Sequence, residues 1–326
     1  MRSVSVRQER WLLREPFVIS RGAMEAQDVV VVELRQGGVC GRGEASPSAR
    51  FGETAQSVIA AIGQAAAAIE SATGRADIAV VLPKGAARSA VDSAFWDLEA
   101  KLAGHPAWTA AGLSGVGPRE SAFTISLDTP DAMATAAAAV VGFDLLKLKL
   151  GAPGDLERVR AVRAAVPDKR LIVDANEGWS FQDLKTLVAP LHALGVELIE
   201  QPLPENRDAA LAGFKSPVPL CADEACTDRA SLATIVGRYD FINVKLEKCG
   251  GLTEGLALID EAVARGLRIM VGCRIGTSLG LAPVVLAAQR AEFADLDGPF
   301  LLASDRSPGL SLHAGRVGVP DPALWG

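Results

Sequence analysis

LLKLKLGAPGDLERVRAVRAAVPDKRLIVDAN, residues 145–176, is the stretch on which the fold turns. A strand-length apolar run, Leu145 to Leu150, carries Lys147 and Lys149; a helix-length stretch follows, and then a second apolar run, Leu171 to Ala175, with Asp174 near its end. That is one strand–helix–strand repeat. The pattern recurs outward, with further strands expected at Ser121 to Leu127, Leu198 to Gln201, Leu220 to Ala222, Phe241 to Leu246, Ile269 to Cys273 and Phe293 to Leu296. Eight such repeats in roughly 180 residues fit an α/β chain wound as a TIM-like barrel, whose functional groups come from the C-terminal ends of several strands. Periodicity alone also allows a doubly wound sheet, and only the chemistry chooses between them.

Upstream the rhythm differs. The β-branched run Val29 to Leu34 and the helix-period segments Ala55 to Glu70 and Ala90 to Leu102 cluster as an α+β unit. Gly115, Gly117 and Pro118 punctuate the chain, so the expected division is an α+β capping domain over 1–118 and a barrel domain with a C-terminal tail over 119–326.

Composition removes several function classes. The chain has 326 residues, is 49% hydrophobic and carries a net charge of -6 with no basic run, which argues against nucleic-acid binding. Its longest apolar stretches, such as Ala65 to Ile69 and Ala136 to Val141, are too short to span a bilayer, and nothing resembles an export signal, so a cytoplasmic protein is expected. The five cysteines lack zinc-site spacing, and His105, His192 and His313 do not cluster, which disfavours a histidine-ligated metal or a Ser-His-Asp triad.

The strand ends carry the chemistry. Lys149, Asp174, Glu200, Asp223 and Lys245 follow one another at intervals of roughly 22 to 26 residues, about one strand–helix unit, so a barrel would converge all five on one mouth. Charges at the ends of apolar strands are costly unless paired or ligating. Asp174, Glu200 and Asp223 make a hard, all-oxygen set suited to Mg²⁺. One such aspartate would more often be a helix cap; three in register favour a shared site. Lys149 and Lys245 can serve as acid and base on opposite faces of a planar intermediate, provided burial and neighbouring positive charge bring them towards neutrality. Lys147, two residues before Lys149, points to the same side and either tunes Lys149 or pairs with a ligating carboxylate.

The segments KLK (147–149), DAN (174–176), EQPLP (200–204), ADE (222–224) and NVKLEKCGG (243–251) together resemble the enolase superfamily, in its muconate-lactonising branch, over essentially the whole chain. The resemblance implies a modified TIM-like (β/α)7β barrel. It also implies a mechanism known for that superfamily, a lysine base with Mg²⁺ stabilising an enediolate. Within the branch, FADLDGP, with Asp295 and Asp297, is most similar to the dipeptide epimerases typified by the L-Ala-D/L-Glu epimerases. The implied activity is inversion of the second residue's α-carbon by Lys149 and Lys245, with Mg²⁺ on Asp174, Glu200 and Asp223 and the substrate ammonium on Asp295 and Asp297. Thr124 and Lys147 are further substrate-side candidates; Asn176 and Asn243 are supporting hydrogen-bond donors, and Glu224 a partner for Lys245. The loops Ile19 to Met24 and Ser46 to Glu53 are expected lids. A small dipeptide is the expected partner, with neither nucleic acid nor membrane, and a homo-oligomer stays open.

Two positions depart from the family pattern. Relatives that prefer glutamate carry an arginine where this chain has Met24, while Arg21 belongs to the shared framework of that loop; at the seventh strand end Arg274 stands where relatives place a neutral residue. The second residue is then either apolar, packed on Met24, or anionic, met by Arg274; a surface salt bridge for Arg274 is equally open. The alternative enzymes are an o-succinylbenzoate synthase or an N-acylamino acid racemase, whose substrates lack the ammonium that Asp295 and Asp297 would hold. The non-enzyme alternative is a Mg²⁺-binding barrel without catalysis, which intact Lys149 and Lys245 disfavour.

Overall fold

In the computed structural model, which describes residues 1–19 and 22–326, the chain opens with a three-stranded antiparallel sheet: β1 (Arg2–Ile19), β2 (Gly22–Gln36) and β3 (Val39–Ala45). The apolar run of β2 serves two cores, since successive side chains of a strand face opposite ways. Val30, Val32 and Leu34 pack with the helices of this unit, whereas Val29 and Val31 join the core around the barrel. The helix Ala86–Ala103 lies directly on β3; a Cβ on Gly43 would stand 2.1 Å from the Ala90 carbonyl oxygen, so only glycine permits that approach. The expected single helix over 55–70 is two, Ala55–Gln64 and Ala66–Ser71, meeting at Ala65.

Eight parallel strands follow: β4 (Ala122–Ile125), β5 (Leu145–Lys149), β6 (Arg170–Asp174), β7 (Val196–Glu200), β8 (Leu220–Ala222), β9 (Phe241–Val244), β10 (Arg268–Gly272) and β11 (Phe293–Asp295). Their order in the sheet is their order in the chain. A doubly wound sheet reverses direction at its switch point, and this one does not. Side chains stitch the seam between β4 and β11: the Thr124 amide donates to Asp297 at 2.7 Å, and the Leu296 amide to the Ser121 hydroxyl at 2.8 Å. The architecture is a nearly closed (β/α)7β barrel with an antiparallel N-terminal domain. Most crossovers are full helices, but those after β7 and β8 contain only short turns, Asp208–Leu211 and Leu232–Ile235.

The capping sheet is tied to the barrel by buried charge. Glu44 on β3 accepts from the Thr277 amide at 2.7 Å and pairs with Arg306 at 2.7 Å. Burial still pushes its carboxyl above the ordinary range. The C-terminal tail, assigned by sequence to the barrel, returns to the cap: Arg42 donates to the Ala323 carbonyl, the Gly326 amide to Asp97, and buried Trp325 to the Ser93 carbonyl at 3.0 Å. Trp325→Phe keeps most of the packing and removes only this donor, since Ser93 sits within the helix Ala86–Ala103 and its carbonyl keeps its helical partner. It should cost about 1 kcal/mol, measured by urea unfolding. Among the described residues no helix is long and apolar enough to cross a membrane.

Candidate active site

Inside the barrel, one residue from each strand forms a closed apolar floor: Ala122, Leu145, Ile172, Leu198, Cys221, Phe241, Met270 and Phe293. Every second side chain faces the same way. Two positions along, the inward face therefore carries Thr124, Lys147, Asp174, Glu200, Asp223, Asn243 and Asp295, with Gly272 the one residue without a side chain. A further two positions along come Lys149, Asn176, Lys245, Arg274 and Asp297. All five of this outer tier line a cavity of about 430 Å³ between the barrel mouth and the cap.

Strand order arranges these groups as a cross. The carboxylates Asp174, Glu200 and Asp223 come from the third, fourth and fifth barrel strands or the turns just after them, and Asp295 and Asp297 from the eighth, facing the middle of that arc. Lys149 ends the second strand and Lys245 follows the sixth, so the two are opposed across an eight-strand ring.

Each carboxylate of the triad offers an oxygen within 4.8 Å of the others. Oxygens on one octahedral Mg²⁺ lie at most about 4.2 Å apart, so this all-oxygen, histidine-free set fits a hard divalent ion with small side-chain adjustment. Asn243 donates to Glu200 at 2.8 Å, and the Asn176 amide to Asp174 at 2.9 Å. Both residues thus hold carboxylates of the triad in place. Next to the triad the backbone is forced into the left-handed region at Asn176 (φ 44°) and Gln201 (φ 33°). The Gln201 side chain accepts from the Asp223 amide at 2.9 Å, so it connects the strand ends of two triad carboxylates.

Lys147 lies at the centre of the cluster, 2.7 Å from Glu200, 2.9 Å from Asp295 and 3.3 Å from Asp174. Burial disfavours its ammonium, but Asp295, Glu200 and Asp174 outweigh that and hold it well above the ordinary lysine range. It therefore pairs with carboxylates of the triad. Lys149 pairs with Asp174 and Lys245 with Asp223, each at 2.7 Å. For Lys245 in this arrangement burial acts downward, but Asp223 and Glu200 raise it above the usual range, so the positive charge that would bring it towards neutrality has to come from elsewhere. Burial would raise Asp174 and Asp223 too, yet the lysines prevail, taking Asp174 to about 2 and Asp223 well below its ordinary value. Glu200, raised by burial and by Asp174, reaches about 7. Glu224 accepts from the Asn176 side chain at 3.4 Å, and its charge adds to those that raise Lys245.

Residues 131–323 match the family described as enolase C-terminal domain-like, and residues 1–115 match the N-terminal domain of the mandelate racemase / muconate lactonizing enzymes. The chain belongs to that family. The L-Ala-D/L-Glu epimerase of Escherichia coli is 43% identical over 322 residues, covering 97% of this chain and 99% of that protein. A solved structure of an enolase family member from Agrobacterium tumefaciens, described as homologous to dipeptide epimerases with bound sodium and L-Ala-L-Glu, superposes with a TM-score of 0.98 at 46% identity and covers all of both chains. A dipeptide epimerase from Enterococcus faecalis, complexed with Mg and L-Leu-L-Tyr, superposes with a TM-score of 0.90 at 30% identity, covering 98% of this chain and 97% of that one.

Thr124, Met24 and Arg274 all line the cavity, as do Asp295 and Asp297. Arg21 lies outside the described residues. Residues of both segments expected as lids line it too, Ile19 and Met24 from the first and Arg50 and Phe51 from the loop after β3; Arg50 anchors its loop to Glu177 and Glu205 at 2.9 Å each. Sequence reading missed Lys248, whose ammonium is 2.6 Å from Asp223 and donates to the Asn243 carbonyl. The expected strand over 241–246 stops at Val244, and a single helical turn, Leu246–Cys249, carries Lys248 back towards the triad.

Proposed function

We propose that the protein is a Mg²⁺-dependent dipeptide epimerase that inverts the α-carbon of the C-terminal residue by two-lysine 1,1-proton transfer. The observation that carries this reading is the cross of groups at the barrel mouth: a metal-type triad facing an aspartate pair along one axis, and two lysines opposed along the other. Asp174, Glu200 and Asp223 would hold the ion. When bound, Mg²⁺ supplies positive charge at the substrate's terminal carboxylate, where negative charge develops as the α-proton leaves. It also draws on the carboxylates that otherwise raise Lys245, which favours the neutral, basic amine.

A dipeptide fits along the triad–aspartate axis. Asp295 and Asp297 lie on the far side of the ring, where two acceptors suit one α-ammonium. Thr124 aims Asp297 through its amide, and Lys147 holds Asp295. The α-carbon then lies between Lys149 and Lys245. One lysine removes its proton, the other returns a proton to the opposite face, and the roles exchange in the reverse direction. The five cysteines are unpaired, as suits a reducing compartment, and the cytoplasm is the proposed location.

Asp297 gives this proposal a pH signature. Burial, together with Asp295, raises its carboxyl to about 7. Below that pH the group is neutral and balances a substrate ammonium poorly; above it the carboxylate forms. KM for a dipeptide should therefore fall as pH rises through about 7, in a pH series of initial rates. The sign for stability is opposite: a raised folded-state value means that the stabilisation is present below about 4 and is lost as pH rises through about 7.

The reading is tested by offering the Mg²⁺-loaded enzyme L-Ala-L-Xaa dipeptides, N-succinyl amino acids and the o-succinylbenzoate precursor, and separating products chromatographically. Appearance of L-Ala-D-Xaa with little turnover of the others supports it. Turnover of only the substrates lacking an ammonium would replace it with the racemase or lyase.

A further inference from the structure

Six described cations line the cavity: Arg50, Lys147, Lys149, Lys245, Lys248 and Arg274. Five are in ion pairs, Arg50 with Glu177 and the four lysines with triad carboxylates. Arg274 has no ion pair among the described residues, and its buried Nε has no hydrogen-bond partner. That disposes of the surface salt bridge as its role. Glu247 is near enough to feel its charge, but the two are not in ion-pair contact, and burial keeps the Glu247 carboxyl above the ordinary range.

The position of Arg274 is fixed from both sides. It stands four residues beyond Met270 of the apolar floor, in the same tier as Lys149, Lys245 and Asp297. Its backbone meets Gly298 so closely that a Cβ there would be 2.6 Å from the Arg274 carbonyl oxygen, which ties it to the segment carrying Asp295 and Asp297. Its guanidinium carbon lies 5.6 Å from the Phe51 ring centroid, a contact that orients the planar group and leaves its edge donors free.

In the proposed binding mode the substrate's carboxylate and ammonium occupy one axis of the ring and the lysines the other. The second residue's side chain is left with the direction out of the mouth, towards Met24, Phe51 and Arg274. We infer that Arg274 is the specificity residue for a side-chain carboxylate, making dipeptides with an acidic second residue the preferred substrates. Met24 then packs against the aliphatic stem. An unpaired guanidinium rewards a carboxylate and offers an apolar side chain only a desolvation cost.

This inference rests on the epimerase reading and is tested separately by ratios of kcat/KM for L-Ala-L-Glu, L-Ala-L-Gln and L-Ala-L-Met, which hold size roughly constant while removing charge and then polarity. The wild-type enzyme should favour Glu over Gln by roughly 10- to 100-fold. Arg274→Met should bring that ratio to about one, mainly by raising KM for L-Ala-L-Glu, and Arg274→Lys should give an intermediate ratio, because an ammonium lacks the bidentate fork. An unchanged ratio in Arg274→Met, or a wild-type enzyme that inverts L-Ala-L-Gln and L-Ala-L-Met as well as L-Ala-L-Glu, would overturn the inference while leaving the epimerase intact. Failure to invert any dipeptide would remove both.

Discussion

Lys149→Ala and Lys245→Ala should each lower epimerisation by roughly 10²- to 10⁴-fold, the range expected for loss of a positioned general acid or base. The loss applies in both directions, because the base for one epimer is the acid for the other. Solvent exchange separates this from general damage. The remaining lysine still faces one side of the α-carbon, so each variant should exchange the α-proton of one epimer into D₂O without inverting it. The two variants should exchange opposite epimers, because Lys149 and Lys245 stand on opposite sides of the ring. If both variants exchange the same epimer, or neither loses inversion, the two-lysine assignment fails.

Lys147→Met should destabilise the metal-free protein by about 3–5 kcal/mol, the usual result of removing one partner from a buried charge cluster. Lys147 is 1% exposed and is the shared cation of Asp174, Glu200 and Asp295. Methionine fills the volume of its stem, so the loss reports charge rather than a cavity. In calorimetry the Tm should fall by on the order of 10 °C in EDTA. Excess Mg²⁺ should recover part of the fall, since an ion on the triad restores positive charge to Asp174 and Glu200 but not to Asp295. A change below about 1 kcal/mol, or one indifferent to Mg²⁺, would contradict the picture of Lys147 as the internal counter-ion.

What was legible in the sequence was what repeats in one dimension. Lys149, Asp174, Glu200, Asp223 and Lys245 recur at strand ends, and a barrel converts that recurrence into proximity. Asp295 and Asp297 were legible as alternate residues at the last strand end. Less accessible were features in which the chain turns or serves two surfaces. Lys248 reaches Asp223 only because the backbone leaves the β9 direction for one helical turn, and an apolar strand pattern gives no warning of it. Val29 to Leu34 reads as one buried run, though its odd and even positions enter different cores. Nothing in the alanine-rich stretch around Ala65 marks the break between the two helices there. The pairing of Lys245 was not legible for a physical reason: strand spacing shows that it reaches the mouth, but not that it meets Asp223 at 2.7 Å, a contact that opposes the effect of burial.

The central claim is best tested by ¹H NMR of L-Ala-L-Glu with the wild-type enzyme and Mg²⁺ in D₂O. The account predicts loss of the glutamate α-proton signal together with growth of the L-Ala-D-Glu resonances, while the alanine α-proton is retained. Loss of the alanine proton instead, or a spectrum unchanged at high enzyme concentration, would contradict it.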